Sequence, residues 1–295
     1  MRRLLLATTA LVALSVGQAW AQSATINDAG TSNVNLIDQS GANVTGTSAT
    51  ITQASSSNTS DATITQTGTA VATATVTQAG DDSATITQNA TGAAASTATV
   101  NQDPTGSGNT AQIQADGEGN GSTITQSGDI NFARNEQTGD GLTSNITQTG
   151  TNGSATVVQL GDTNSSTVTQ AGDGNIVQVS QDSTGNVSTI DQTADDNVAI
   201  VDQSGTGTSD IQQDGTNGRV EVTQSEIGNI SNVTQNAGAT NNRAFVTQSI
   251  AGAQSTVNQG GTIGNNTATV TQSTNANAVA NVTQSGNGGT ATVLQ

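Results

Sequence analysis

The 295-residue chain has no cysteine and no histidine, and all five of its basic residues are arginine. It has one proline and one tryptophan, and only 1% of it is aromatic. The absence of thiols excludes disulfide staples. Without thiolate, imidazole or lysine amine there is no Cys/His metal site and no histidine- or cysteine-based catalysis. Charge is scarce, at 9%, and one-sided: 22 acids leave a net charge of −17. That balance argues against nucleic acid as a partner and against anionic membranes. Hydrophobic residues make up 31%, below the ordinary globular share, so a layered enzyme core is excluded too. Such a composition suggests a disordered chain. The order of the residues says otherwise.

Arg2 and Arg3 precede an apolar run, Leu4 to Val16, and Ala19-Trp20-Ala21 follows. This reads as a secretory signal peptide, 1–21, cleaved after Ala21; the run is too short to span a bilayer, so no membrane insertion is expected. The remaining chain keeps three arginines against 22 acids, a formal charge of −19. Residues 22–32 read as a short N-terminal segment.

From 33 to 295 one pattern recurs, in segments such as Ala-Thr-Ile-Thr-Gln. With the last glutamine as anchor there are 23 arms, and Ala115 stands in one glutamine slot. Two residues before the anchor lies Ile or Val in 22 of 23 arms, the exception being Asn135. Four before lies Ala or Ser in 20 of 23. A spacing of two is one face of a β-strand, so Ala/Ser, Ile/Val and Gln point inward and the intervening residues, often threonine, point outward. Gly128, Gly150, Gly161 and Gly172 follow their anchors by two, and Asn164, Asn175, Asn186 and Asn197 come soon after. Both residue types tolerate the positive φ of tight turns.

From Ala111 to Ala268, serine alternates with Ala or Val at the position four before the anchor, for 15 arms. Neighbouring arms are therefore unlike and next-but-one arms alike. The implied fold is all-β: a β-solenoid of about 11 two-strand coils, about 22 residues per turn, with odd and even arms in two parallel sheets. One arm buries a single Ile or Val, worth about 1.5–3 kcal/mol. Ordering costs about 1–2 kcal/mol for every residue, so no arm folds alone. Cross-β stacking supplies the rest, with buried glutamine amides at one height donating to the next coil. The expected ladder comprises Gln126, Gln148, Gln159, Gln170, Gln181, Gln192 and Gln203 with Ile124, Ile146, Val157, Val168, Val179, Ile190 and Val201. The last arm, through Ala291, Val293 and Gln295, ends the sequence as an unpaired edge. An uncapped stack of this kind invites a second copy of itself, making the chain its own expected partner.

The stretch Gln170-Ala171-Gly172-Asp173-Gly174-Asn175-Ile176-Val177-Gln178-Val179-Ser180-Gln181 resembles the curlin repeat, with Val177 in place of its alanine. Gln148 through Gln159 is similar to it as well, with Asn152 and Gly153 exchanged. The resemblance implies a subunit of a curli-type extracellular amyloid, in the biofilm matrix at a bacterial cell surface. As partners it implies a nucleator subunit and an outer-membrane secretion channel.

Other chemistry is weaker. Asp81-Asp82 and Asp195-Asp196 read as solvated turns that slow assembly by repulsion, with no calcium series among them. Outward threonine pairs, such as Thr75/Thr77 and Thr123/Thr125, raise ice binding. They fall on odd and even arms and are interrupted by Arg134/Glu136 and Glu221, so no uniform face is expected. Arg134, Arg219 and Arg243 lie far apart in arm number, and no catalytic, cofactor or metal site is expected. The reading is a structural subunit that assembles into fibres; a monomeric secreted solenoid, adhesin or ice-binding, is the alternative.

Overall fold

The structure is a computed structural model and describes residues 9–13, 23–42, 46–54, 59–261 and 264–295. Every regular element among the described residues is a strand. The chain forms two compact units, Met1–Gly141 and Leu142–Gln295. The first holds β1 (Thr9–Ala13), β2 (Ser23–Asp28), β3 (Val34–Ala42), β4 (Ser48–Gln53), β5 (Asp61–Gly68), β6 (Ala72–Gln78), β7 (Ser83–Ala90), β8 (Ser96–Gln102), β9 (Thr110–Gly117), β10 (Gly121–Gln126) and β11 (Phe132–Thr138). The second holds β12 (Thr143–Gln148), β13 (Ser154–Leu160), β14 (Ser165–Gln170), β15 (Ile176–Gln181), β16 (Val187–Gln192), β17 (Val198–Gln203) and β18 (Gly207–Gln213). It continues with β19 (Arg219–Gln224), β20 (Asn229–Gln235), β21 (Arg243–Gln248), β22 (Gln254–Gln259), β23 (Thr267–Gln272), β24 (Val279–Gln284) and β25 (Thr290–Leu294).

Within each unit odd strands pair with odd and even with even, so each unit is a two-sheet solenoid. Its pairs are parallel, as in β15 with β17 and β14 with β16. The 23 arms are β3 to β25, and the two units together make about 12 turns of about 22 residues, one more than the arm count implies. The addition comes from the start of the chain. Ser23–Asp28, within the segment placed ahead of the first arm, is a strand that pairs with β4. It repeats the arm pattern with Ala24, Ile26 and, in the glutamine slot, Asp28. Most of the leader read as a signal peptide, including Arg2, Arg3 and Ala19 to Ala21, lies outside the described residues. Thr9–Ala13 forms β1, which pairs with β3.

Register is set by the anchors. Gln181 lies beside Gln203 and Gln170 beside Gln192. Where arm spacing stretches between Gln88 and Ala115, the two still align, because turns absorb the extra residues. Interior strands show the two-residue alternation directly: in β14 and β16 every second side chain is buried.

The turns differ from expectation in a useful way. Asn164, Asn175, Asn186 and Asn197 are not the positive-φ residues; each is buried, at 1% exposure or less. The left-handed conformation falls on the residue before: Thr163, Gly174, Gly185 and Asp196. Gly150 and Gly172 are required by close approach rather than by φ. A Cβ on Gly150 would sit 2.1 Å from the carbonyl oxygen of Gly172 in the next coil. Stacked turns leave no room there for a side chain.

Candidate assembly site: amide columns and open coils

The inward glutamines form hydrogen-bonded columns. In the second unit the odd sheet runs from Gln159 through Gln181, Gln203, Gln224 and Gln248 to Gln272, each Nε2 donating to the next Oε1 at 2.8–2.9 Å. The even sheet does the same from Gln148 to Gln284 at 2.7–3.0 Å. In the first unit Gln53, Gln78, Gln102 and Gln126 make the even column. All donation runs towards the C-terminus, so each column is polar. The primary amide has a second hydrogen, and this ties the sheets together. Gln170 also donates to Ser154 O, Gln181 to Ser165 O and Gln192 to Ile176 O, each reaching the opposite strand 16 residues back. Periodicity implied the ladder; it did not imply this cross-sheet bond.

Between the amides lie the aliphatic columns. Ile124, Ile146, Val157, Val168, Val179, Ile190 and Val201 are at most 3% exposed, and Gln126, Gln148, Gln159, Gln170, Gln181, Gln192 and Gln203 at most 1%. The structure thus brings these fourteen residues inside their units. Ala291, Val293 and Gln295 are half-buried.

A second polar column was missed. Asn164 Oδ1 accepts the backbone N–H of Asn186, whose own Oδ1 accepts that of Gly207. Asn175, Asn197 and Gly218 repeat this in the odd sheet. In the first unit Asn33, Ser60, Asp82, Asn109 and Asn131 form a file in which each side chain accepts the next residue's N–H. Asparagine was read as a turn former. Its fixed place one residue before each strand was the available signal, since a position flanking a strand on the inward side needs a partner for its amide.

This corrects the reading of Asp82 as solvated. It is 3% exposed and stands in the asparagine file, where burial is the main force raising its carboxyl above the ordinary range, against the pull of Asn109 and Gly80. Asp81, Asp195 and Asp196 are exposed. Asp195 is nonetheless engaged, accepting the N–H of Asp173, as Asp173 accepts that of Thr151. On the outer surface Asp191 is also raised, first by burial and then by Asp214 and Asp210. Among the described residues no group of three or more acidic side chains could hold a metal ion.

Two further expectations change. Arg219 and Arg243, thought remote, are register neighbours on β19 and β21. Glu221 pairs with Arg219, and Arg134 with Glu136, both in largely exposed settings where ion pairs contribute little. The threonine surface is more regular than expected. Arg134, Glu136 and Glu221 all lie on odd strands. In the first unit's even sheet Thr25, Thr50, Thr75, Thr99 and Thr123 align in one row, and Asn27, Thr52, Thr77, Asn101 and Thr125 in the next, without a charge.

Residues 150–182 match the family model of the curlin associated repeat. They span β13 to β15 with the turns that join them. No curated protein matches the chain.

Proposed function

We propose that the chain is a structural subunit of an extracellular amyloid fibre, curli-like, serving a biofilm matrix and adhesion. The observation that carries this is the set of buried amide columns that join successive coils within each unit, as from Gln159 to Gln272 in the odd sheet of the second. The glutamines of that column are fully buried. Each coil is built to be covered by another like it, and the polar columns accept one particular orientation. The inward side chains engage one another and the backbone, which supports a structural and not a catalytic role. The curlin associated repeat at 150–182 supports the extracellular setting and brings a nucleator subunit and an outer-membrane channel as partners.

The test is assembly of the chain released from denaturant. A lag, then strand-type circular dichroism with a cross-β diffraction spacing of about 4.8 Å, and loss of the lag on seeding, are the expected results. A stable monomer with full strand signal from the outset points to the solitary solenoid instead.

One observation favours a second reading, ice binding. The uncharged threonine face of the first unit's even sheet presents hydroxyls in a lattice, about 4.8 Å across strands and about 6.7 Å along them. Thermal hysteresis that disappears in Thr75→Lys separates that activity from assembly.

A further inference from the structure

The second unit carries opposite charges on its two outer faces. On the odd face Arg219 and Arg243 are register partners on β19 and β21, about 4.8 Å apart along the stack. Like charges directly opposite across strands repel unless something offsets them. Arg219 has Glu221. Arg243 is exposed and has no ion pair among the described residues. The neighbours of this pair are apolar. Ile176 and Val198 precede Arg219 in the same row, Ile200 lies on the same strand face as Val198, and Phe245 on that of Arg243. Ile176 is 41% exposed, and Phe245 is one of two phenylalanines in the chain. Arginine and an aromatic ring set among aliphatic side chains are the composition of a contact surface.

The even face of the same unit is its counterpart. Among the described residues no even strand carries an arginine. Asp191 on β16 and Asp210 on β18 point outward one coil apart. Burial, then Asp214 and Asp210, push the Asp191 carboxyl up, so these acids crowd one another with no cation on their face. Val187 and Ile230, 40% and 38% exposed, lie in the row beside Asp210 with Thr208 between them. The even face thus answers the odd one twice, with acid for arginine and with aliphatic side chains for aliphatic side chains.

We infer that the odd outer face of the second unit, around Arg219, Arg243 and Phe245, docks the even outer face of a second copy, around Asp191 and Asp210. The contact is side by side, not coil on coil, and uses side chains that the amide columns leave outside. The two patches differ and lie on opposite faces, so the contact is heterologous: each docked copy presents a free patch to another. Four strands at about 4.8 Å, each about 20 Å long, give roughly 400 Å² a side, a weak contact for one pair of chains. For its strength it rests on the fibre reading, since a stack repeats the contact and binds by avidity. Two net-negative chains repel at long range, but at physiological salt that repulsion is screened beyond about 8 Å, and local pairing decides. A soluble acidic polymer would also satisfy the arginines, yet it brings nothing to cover Ile176, Val198 and Ile200.

Charge exchange reads the contact. Arg219→Glu with Arg243→Glu makes both faces acidic, and Asp191→Arg with Asp210→Arg makes both basic. All four side chains are outward, so seeded growth should be unchanged. At about 0.15 M salt, parent fibres are expected as bundles in electron micrographs and in low-speed pellets. Each exchanged chain alone is expected to give single fibres, and the two sets of fibres, grown apart and then mixed, are expected to bundle again. The milder Arg219→Gln with Arg243→Gln should also lose the bundles. Parent fibres that stay single, exchanged fibres that bundle as the parent does, or mixtures that do not bundle overturn the docking and leave the fibre reading standing. Unchanged bundling with lost retention of a soluble polyuronate in the arginine variants gives the patch to an acidic polymer and overturns it as well. If no fibres grow, the fibre reading falls and sedimentation of the concentrated soluble chains decides. Association in the mixture but in neither exchanged chain alone upholds the docking, and its absence overturns it.

Discussion

The odd-sheet columns of the two units are built from one repeat and differ at two rungs. In the second unit seven glutamines follow without a gap from Gln159 to Gln295. In the first, Ala115 takes a glutamine slot, and Asn135 takes an Ile/Val slot one coil on. The consequence is local and polar. Gln88 Nε2 is buried without an acceptor, and Gln137 loses the donor that a glutamine at 115 would supply. Asn135 commits its Nδ2 to Ser122 Oγ in the opposite sheet and keeps an unbonded Oδ1. Backbone pairing of β7, β9 and β11 continues undisturbed through both substitutions. Backbone ladders thus hold the stack together, and the amide columns fix its register and polarity.

The largest expected effect comes from opening the unbroken column. Gln181 accepts from Gln159, donates to Gln203 and donates to Ser165 O. Gln181→Ala strands all three groups and leaves a cavity, for a loss of about 3–5 kcal/mol in chemical denaturation. Gln88→Ala, where the column has already ended, should cost about 1–3 kcal/mol less. Equal losses would mean that the amides act only as filler.

The converse repair is smaller. Ala115→Gln gives Gln88 an acceptor and Gln137 a donor, and should stabilise the first unit by about 1–3 kcal/mol, read as protection of β7 and β9 amides from hydrogen exchange. A net loss would show that the coil has closed over the missing side chain.

The arms, their inward faces and the two-sheet alternation were legible because each is a periodicity of one or two residue types. Three things were not. Asp28 hid the first arm, since a carboxylate in the glutamine slot broke the pattern although Ala24 and Ile26 kept it. The asparagine file was hidden behind a sound local rule about turns, which describes Thr163 and Asp196 rather than their neighbours. The threonine face of the first unit needed the pairing of alternate strands before its uninterrupted rows emerged. In each case a residue's role came from the coil above or below, which sequence neighbours do not reveal.

Acid stand-ins sharpen the comparison further. Asp82 occupies the file that Asn109 and Asn131 continue, with its Oδ2 buried and unbonded. Its folded pKa is raised, so the fold binds the proton more tightly than the unfolded chain does. The destabilisation is therefore complete above the folded value and fades as pH falls towards 3.8. Asp191 contributes in the same direction. Stability should rise on acidification through this window. Asp82→Asn should gain about 1 kcal/mol at neutral pH, and the gain should vanish at low pH. A gain that is constant with pH would assign the effect to packing.

The smallest effect concerns the serines whose alternation revealed the coil. Ser144, Ser166, Ser188 and Ser209 stand in the even sheet with buried Oγ atoms that make no hydrogen bond, where the odd sheet carries Ala155, Val177, Ala199 and Val220. A buried hydroxyl without a partner is desolvated with no compensating bond, so Ser166→Ala should be neutral or stabilising by up to about 1 kcal/mol. Ser255 is the contrast, since its Oγ bonds that of Ser231 at 3.2 Å. Ser255→Ala should instead lose about 0.5–1.5 kcal/mol, and the opposite signs are read as shifts in denaturation midpoint. If both variants lose stability, the orphaned hydroxyls have partners along the column, and the serine file is a third polar ladder beside those of glutamine and asparagine.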